Sequence, residues 1–557
     1  MFLRTKRSVQ GGRTYEYLQI CETFRDQGRV KQRTLATLGR LDDLEGSGQI
    51  EALAASFAKF SKAVAVVGEH SRGAITEHGT RKIGPGLVFE RLWKELGIGE
   101  TIRGALSGRR FQFDVEAAVF LTVIHRLMDP GSDRAAEKWR EDYALPDGVK
   151  DLDLHHLYRA MAWLGEPLPE EEQAGRTPFA PRCTKDLLEE RLFAQRRDLF
   201  TEVAIIFFDT TSIYFEGAGG RTLGRRGHSK DHRPDLPQIV VGLVLDGDGR
   251  PLCCELWPGN TTDVKSLVPI VDRLRERFRI GRICVVADRG MISKETVAEI
   301  ERRGIHYILG ARMRRDKEVR DEVLARGGRY QEVTPERKCS KDPSPLKVKE
   351  VVVGDRRYVV CLNDEQARKD AGDRTAILAG LEKQLRQGDK SLVGNKGFRK
   401  YLRSRGEKFE IDWDRAEAEA RYDGKWVLRT NVGDPAETVA GTYKMLWMVE
   451  ALFRTVKSVL ETRPIYHKCD ETIRGHVFCS FLALLMMREL QERMDARGHH
   501  AAEWADVLRD LDSVTQTEVE SSDGKRFKIR SEAKGWCGKV FQAVGVALPP
   551  TLREVSP

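Results

Sequence analysis

The segment IIFFDTTSIYF, Ile205 to Phe215, decides how this chain is read. Its apolar start suits a strand buried on both faces, as in a sheet covered by helices, yet the run goes straight into Asp209. A carboxylate in such a setting is costly unless something compensates its charge. A second segment has the same form: RICVVAD (282–288) carries Asp288 after an apolar run, followed by Arg289-Gly290. Two neighbouring strands that each end in Asp bring both carboxylates to one edge of a sheet. Singly, each Asp reads equally well as a strand cap or the start of a turn. As a pair, two anions a few Å apart shift each other's pKa unless a cation sits between them. Oxygen-only ligands with open water positions suit Mg²⁺ or Mn²⁺. A pair of such ions about 3.5–4 Å apart activates a nucleophile and stabilises the leaving oxygen in phosphodiester chemistry.

Around these segments the pattern is that of an α/β protein. After VAIIFFD comes a hairpin, PQIVVGLVLDGDGRPLCCELWPG, turning at Asp246-Gly247-Asp248-Gly249. DVKSLVPIVDRLRERF and KETVAEIERRG have helical periodicity, while RICVVAD and IHYILGAR read as strands. This order predicts a mixed sheet with helices on its faces. Upstream, residues 14–38 alternate as two strands about Asp26-Gln27-Gly28. The stretches 85–97, 114–128 and 154–165 have apolar residues at helical spacing, residues 166–181 read as a linker, and the helix CTKDLLEERLFAQRRDLF leads into the opening strand. Downstream, the highly charged segment 311–425 holds one clear hairpin, KVKEVVVGDRRYVVCLN, turning at Gly354-Asp355. GKWVLRTN (424–431) reads as a strand, followed by a long helix over 442–461, an apolar helix at HVFCSFLALLMMREL, and a tail with the strand DGKRFKI and a short helix.

Composition narrows the function classes. The chain has 557 residues, a formal charge of +9, and no apolar stretch approaching a membrane span. The start, MFLRTKRSVQGG, lacks the apolar core of a secretory signal, so a cytosolic setting is expected. Ten cysteines without a C-x-x-C pair argue for reduced, buried thiols over a zinc ribbon or disulfide framework. Residues 1–40 hold nine Lys/Arg against three acids, and 221–233 hold five against one. Such blocks are either solvated surface or a footprint for nucleic acid.

A third carboxylate enters through the helix expected at 442–461. Met445, Met448, Val449, Leu452, Phe453, Val456, Val459 and Leu460 form its apolar stripe. Tyr443, Trp447, Glu450, Arg454 and Lys457 share another face. That face is either solvated, with a Glu450–Arg454 pair, or carries one metal ligand and several phosphate contacts.

With these residues in place, the sequence resembles the DDE transposases of bacterial insertion sequences, which have an RNase H-like core with its first Asp on the first strand, the second after the fourth, and the Glu on a later helix. In the insertion-sequence-four group the Glu lies in a Y-x2-R-x3-E-x6-K signature. Tyr443, Glu450 and Lys457 stand at those spacings, while Leu446 replaces the Arg, for which Arg454 is the candidate substitute. The start running to TLATLGRLDDLE, GHSKDHRPDLPQ, WPGNTTD, ADRGMIS, RPIYH and the following IRGH resemble the sixteen-thirty-four branch of that group.

The resemblance implies an RNase H-like core interrupted by a strand-containing insertion domain, with a mainly helical N-terminal DNA-binding region. The expected layout is a basic hairpin region (1–60), a helical DNA-binding region (61–200), the first part of the core (201–310), the insertion (311–425), the second part with the Glu helix (426–495) and a C-terminal region (496–557). Asp209, Asp288 and Glu450 would hold two Mg²⁺ or Mn²⁺ ions. Water would free a 3′-OH at the element end, which then attacks target DNA. Lys230, Arg233, Tyr443 and Lys457 are expected at the DNA, with Arg289, Arg454 and Arg463 behind them. The expected partners are double-stranded DNA, as terminal inverted repeats and target, and a second copy of the chain in a synaptic complex, with no membrane and with the nucleoid as location. A metal-dependent nuclease and a DNA-binding protein derived from a transposase are the alternatives. His228, His467 and His476 have no zinc-ligand spacing and are read as phosphate or structural contacts. Trp257 and Trp447 are read as core residues rather than base-stacking platforms, and Asp263 in GNTTD as a helix-start residue.

Overall fold

A computed structural model describes residues 2–10, 13–26, 29–58, 75–174, 176, 180–196, 203–280, 282–334, 345–387, 399–405, 408–522 and 524–555. The chain forms two compact units. One comprises Met1–Gly84, Ala505–Phe541 and Ala547–Pro557; the other comprises Pro85–Trp504 and Gln542–Val546.

The first unit holds a three-stranded antiparallel sheet of Phe2–Gln10, Arg13–Asp26 and Arg29–Arg40. Its second and third strands are the two expected from 14–38; Gln27 and Gly28, in the expected turn, lie outside the described residues. The unit also holds a four-stranded sheet that pairs Thr76–Lys82 with Thr515–Glu520, then Arg526–Arg530 and Leu552–Val555. Thr76–Lys82 lies where a helical region was expected. Its sequence, TEHGTRK, is polar and exposed, and takes strand form by pairing with a partner more than 400 residues away.

In the second unit, helices Gly84–Glu95, Val115–Met128 and Leu154–Leu164 match the three expected periodic stretches. Asp114 caps the second of them by accepting the Ala117 N–H at 3.0 Å. Leu154–Leu164 packs on the long apolar helix Asp470–Asp495.

The remaining architecture is a nine-stranded mixed sheet, whose strands we number β1 Val203–Tyr214, β2 Gln238–Leu245, β3 Pro251–Pro258, β4 Arg282–Ala287, β5 His306–Gly310, β6 Gln331–Val333, β7 Leu346–Val353, β8 Arg356–Leu362 and β9 Lys425–Thr430. The order is β6-β7-β8-β9-β5-β4-β1-β2-β3. Only β1/β4 and β4/β5 are parallel; every other pair is antiparallel. The parallel strands are linked through helices Asp263–Phe278 and Lys294–Arg302. These bury Leu267, Ile270, Val271, Leu274, Val297 and Ile300 against one face of the sheet. The hairpin expected at 347–363 is present, and it extends this same sheet through β9. The charged segment after it forms a 23-residue helix, Asp364–Arg386, that periodicity did not reveal.

A buried ionic cluster ties helix Thr184–Arg196 to helix Asp263–Phe278 and β3. Lys185, Asp186, Glu189, Glu255, Arg273 and Arg277 are all buried, three cations against three anions. Arg277 donates to Glu255 at 2.8 Å, Glu189 at 2.6 Å and Glu190 at 2.9 Å, and Arg273 to Asp186 at 2.5 Å. Lys185 donates to Asp186 at 2.7 Å and to the Cys254 carbonyl at 2.6 Å. Charges taken this far from water are tolerated only when paired and hydrogen-bonded. Eight of the nine described cysteines are buried, and all nine are unpaired.

Removing one partner from such a cluster leaves uncompensated buried charge. Arg277→Met is therefore expected to destabilise the protein by about 3–5 kcal/mol, read as a lower denaturation midpoint. An unchanged midpoint contradicts the role given to the cluster.

Candidate active site

The register of the parallel seam places the two aspartates together. Phe208 on β1 faces Ala287 on β4, so the next residues, Asp209 and Asp288, come side by side where the parallel pairing ends. The sequence reading had the first strand stop at Asp209. Instead β1 continues to Tyr214, because the antiparallel hairpin partner β2 still pairs with it through Tyr214↔Gln238. Asp209 is thus held in mid-strand, with its backbone fixed on one side after the other neighbour has departed.

This continuation turns the hydroxyls that follow into the protein. Thr210, Thr211 and Ser212 are buried. The Thr210 hydroxyl donates to Asp263 Oδ1 at 2.7 Å, and Ser212 Oγ accepts the Lys230 N–H at 2.7 Å. The Lys230 side chain donates to the Thr210 carbonyl at 2.7 Å, and its Nζ stands 3.3 Å from Asp263 Oδ2 and 3.9 Å from Asp209 Oδ1. Burial pushes the Asp209 carboxyl up to about 6, with Asp263 and Asp288 adding to the rise; Lys230 and the Thr210 N–H, 2.7 Å away, oppose it.

Asp288 is exposed and accepts a hydrogen bond from the Tyr443 hydroxyl at 3.0 Å. Burial and the neighbouring carboxylate raise the Tyr443 pKa, which keeps the phenol a donor. The approach depends on Gly310 at the end of β5: a β-carbon there would meet Tyr443 Oη at 2.4 Å. Arg289 is exposed beside Asp288, and its carbonyl accepts from Arg312 at 3.0 Å.

The helix expected at 442–461 is broken. It runs as Ala436–Lys444 and Trp447–Arg454, followed by a wider π turn over Thr455–Val459. At the break, the N–H groups of Met445, Leu446, Met448 and Val449 bond to carbonyls three residues back instead of four, so the turn tightens before Glu450. Of the predicted stripe, Val449, Phe453, Val456 and Leu460 are buried, whereas Val459 is exposed. Trp447 is also exposed, which corrects its core reading, while Trp257 is fully buried against Phe208. Glu450 and Arg454 are exposed on the second segment, which packs against β1 and β2.

Lys457 and Arg463 both turn inward to Asp231, at 2.8 and 2.5 Å. Asp231 is 5% exposed and Lys457 10%. Arg233 is half-exposed, pairs with Asp235 at 2.9 Å and lies over the Tyr214 ring. Lys230, Asp231 and Arg233 of one loop therefore reach β1, the π turn and the loop's own surface respectively.

Among the described residues, two sets of three side chains bring metal-ligand atoms within 4.8 Å of one another: Asp133, His467 and His476, and Asp153, His155 and His156. Asp209, Asp288 and Glu450 do not close to that distance. At the first set, Arg126 donates to His476 Nδ1 at 2.7 Å and His476 Nε2 faces the Thr462 carbonyl at 3.2 Å. The guanidinium already occupies the nitrogen a metal would need, which fits a structural role for both histidines. Asp263 is the residue sequence reasoning undervalued. At the start of its helix it reads as a cap, and only the fold turns its carboxylate toward Thr210 and Lys230.

Asp209 and Asp288 offer hard oxygen donors, one half-buried and one exposed, of the kind a divalent cation takes. Among the described residues no helix is long and apolar enough to cross a membrane. No curated protein matches the sequence. Among solved structures, a cryo-EM structure of the piggyBac transposase synaptic complex with hairpin DNA aligns over 77% of this chain and 79% of that chain, at 12% identity and a TM-score of 0.37. The family model described as the IS1634 family transposase N-terminal domain matches residues 3–68. The model described as the transposase DDE domain matches residues 203–486, more than half of the chain and the whole span from β1 to the helix after Glu450. The chain belongs to the DDE transposases, enzymes that cut and join DNA with divalent metal ions, and is IS1634-like.

Proposed function

We propose that this transposase cuts DNA at terminal inverted repeats and joins the freed 3′-OH to target DNA through Asp209, Asp288 and Glu450, which would hold two Mg²⁺ or Mn²⁺ ions. The observation that carries the assignment is the β1/β4 register, which sets Asp209 beside Asp288 on rigid backbone. When bound, the ions would supply Lewis-acid activation of the nucleophile and stabilisation of the leaving oxygen. The strand order β3-β2-β1-β4-β5, antiparallel on one side of β1 and parallel on the other, supports the RNase H-like reading.

The chain's own groups have distinct tasks in this proposal. Tyr443 orients the Asp288 carboxylate by its hydrogen bond. Lys230 balances charge beside Asp209. Glu450 approaches from the helix segment packed on β1 and completes the ligand set once element-end DNA is bound. Arg289 and Arg454, both exposed, and the half-exposed Arg233 are placed for phosphate contacts. Lys457 and Arg463 reach phosphate only in exchange for Asp231. The basic N-terminal hairpin region (1–60) and the helical region (61–200) would recognise the terminal repeats. The core would span 201–310 and 426–495, with the insertion at 311–425 and a C-terminal region at 496–557. A homodimer would form the synaptic complex, in the cytoplasm at the nucleoid.

Asp209→Ala, Asp288→Ala and Glu450→Gln are each expected to reduce cleavage of the element's own ends to background while DNA binding survives. A Glu450→Gln protein that still cuts sinks the assignment of Glu450. A second expectation follows from the raised Asp209 pKa. With a folded value of about 6 against the ordinary 3.8, the folded state binds the extra proton between those two pH values. Stability therefore falls as pH rises through that window, and the penalty is complete above it. In chelator, Asp209→Asn is expected to match the wild-type melting temperature near pH 4 and to exceed it increasingly up to about pH 6–7. A constant gap across this range contradicts the burial argument.

A further inference from the structure

Asp263 begins the helix Asp263–Phe278, where any carboxylate gains from the helix dipole. That explains an Asp at the position but not where its oxygens point. Oδ1 accepts from the Thr210 hydroxyl at 2.7 Å, and Oδ2 lies 3.3 Å from Lys230 Nζ. Both partners belong to the surroundings of Asp209: Thr210 is its chain neighbour, and Lys230 stands 3.9 Å from its Oδ1. One ammonium thus sits between two carboxylates and nearer to Asp263. The turn after Asp288 closes the same corner, since a β-carbon built on Gly290 would stand 3.9 Å from both Asp263 Oδ2 and Asp288 Oδ2.

The consequence concerns competition between cations. Lysine is a compact charge on a flexible stem and moves to the best available anion. If Asp263 loses its charge, the nearest remaining carboxylate for Lys230 is Asp209. In direct contact, the ammonium would occupy an oxygen that a divalent ion needs. Lys230 also has a second anchor, the Thr210 carbonyl at 2.7 Å, so its nitrogen is held between Asp263 and the backbone of β1.

We propose that Asp263 is a positioning residue of the active site: it draws the Lys230 ammonium away from Asp209 and so keeps Asp209 available to a divalent cation. The proposal rests on the reading of Asp209 as a metal ligand. Asp263 acts through Lys230 and Thr210 and is not itself a ligand.

The test is Mn²⁺ binding to the full-length protein without DNA, read by calorimetry or by the Mn²⁺ paramagnetic resonance signal, with circular dichroism melts as the folding control. Asp263→Asn is expected to weaken Mn²⁺ binding about 10-fold, the lower end for losing a group that orients a ligand. Lys230→Met alone is expected to tighten binding. Adding Lys230→Met to Asp263→Asn is expected to restore binding to at least the wild-type level. Unchanged binding in Asp263→Asn would mean the residue only caps its helix, and overturns the proposal. Weak binding that persists in the double variant would make Asp263 a direct ligand, and overturns it too. If Asp263→Asn fails to fold, Lys230→Met decides alone: no gain in affinity refutes the competition. Asp209→Ala separates the underlying reading, because wild-type Mn²⁺ binding in that variant removes Asp209 from the metal site whatever Asp263 does.

Discussion

The parallel seam between β1 and β4 is the constraint from which the proposed active site follows. A parallel pair needs a crossover, and here the crossover runs through the hairpin strands β2 and β3 and the helix Asp263–Phe278. Once Phe208 is registered against Ala287, the aspartates that follow have no choice of neighbour. The surrounding chain then compensates the charge gathered there. Lys230 arrives from the loop between β1 and β2, Tyr443 from the helix Ala436–Lys444, and Asp263 from the crossover helix itself. The buried cluster around Arg277 fastens that helix to β3 and to helix Thr184–Arg196, so the Asp263 end has a fixed origin.

The adjacency of Asp209 and Asp288 was legible in the apolar runs that lead into them, and the charge gathered there is what motivates the proposed cation site. The strands and helices from Val203 to Gly310 were legible for a related reason, since burial on both faces writes an unbroken apolar run and burial on one face writes a periodic one. Glu450, the proposed third ligand, was singled out by its spacing from Tyr443 and Lys457. What escaped depends on partners distant in the chain. Thr76–Lys82 has no strand signature of its own. The burial of Lys185, Asp186, Arg273 and Arg277 has no local signature, because nothing in the sequence distinguishes a charge facing water from one facing an opposite charge in the interior. The break at Met445–Leu446 lies among residues with no Gly or Pro, so no local breaker announces it. Asp263 escaped because one carboxylate satisfies two demands, and the local one conceals the other.

The loop from His228 to Pro234 joins otherwise separate parts of the core. Lys230 reaches inward to β1, and Asp231, the next residue, reaches the π turn that carries Lys457. Alternation of charge along two adjacent residues thus connects the strand of Asp209 with the segment following Glu450. Rearrangement of this loop would alter the surroundings of both carboxylates at once.

The inward pairing of Lys457 and Arg463 also bears on the ionic character of DNA binding. Phosphates neutralised by protein cations release condensed counterions, and the salt dependence of affinity counts those phosphates. Two cations that share Asp231 present DNA with a net charge of one rather than two while that pairing lasts. The chain's formal charge of +9, in which Asp231 is already counted, does not fix the number of counterions displaced; salt sensitivity is set by the basic groups left uncommitted at the surface.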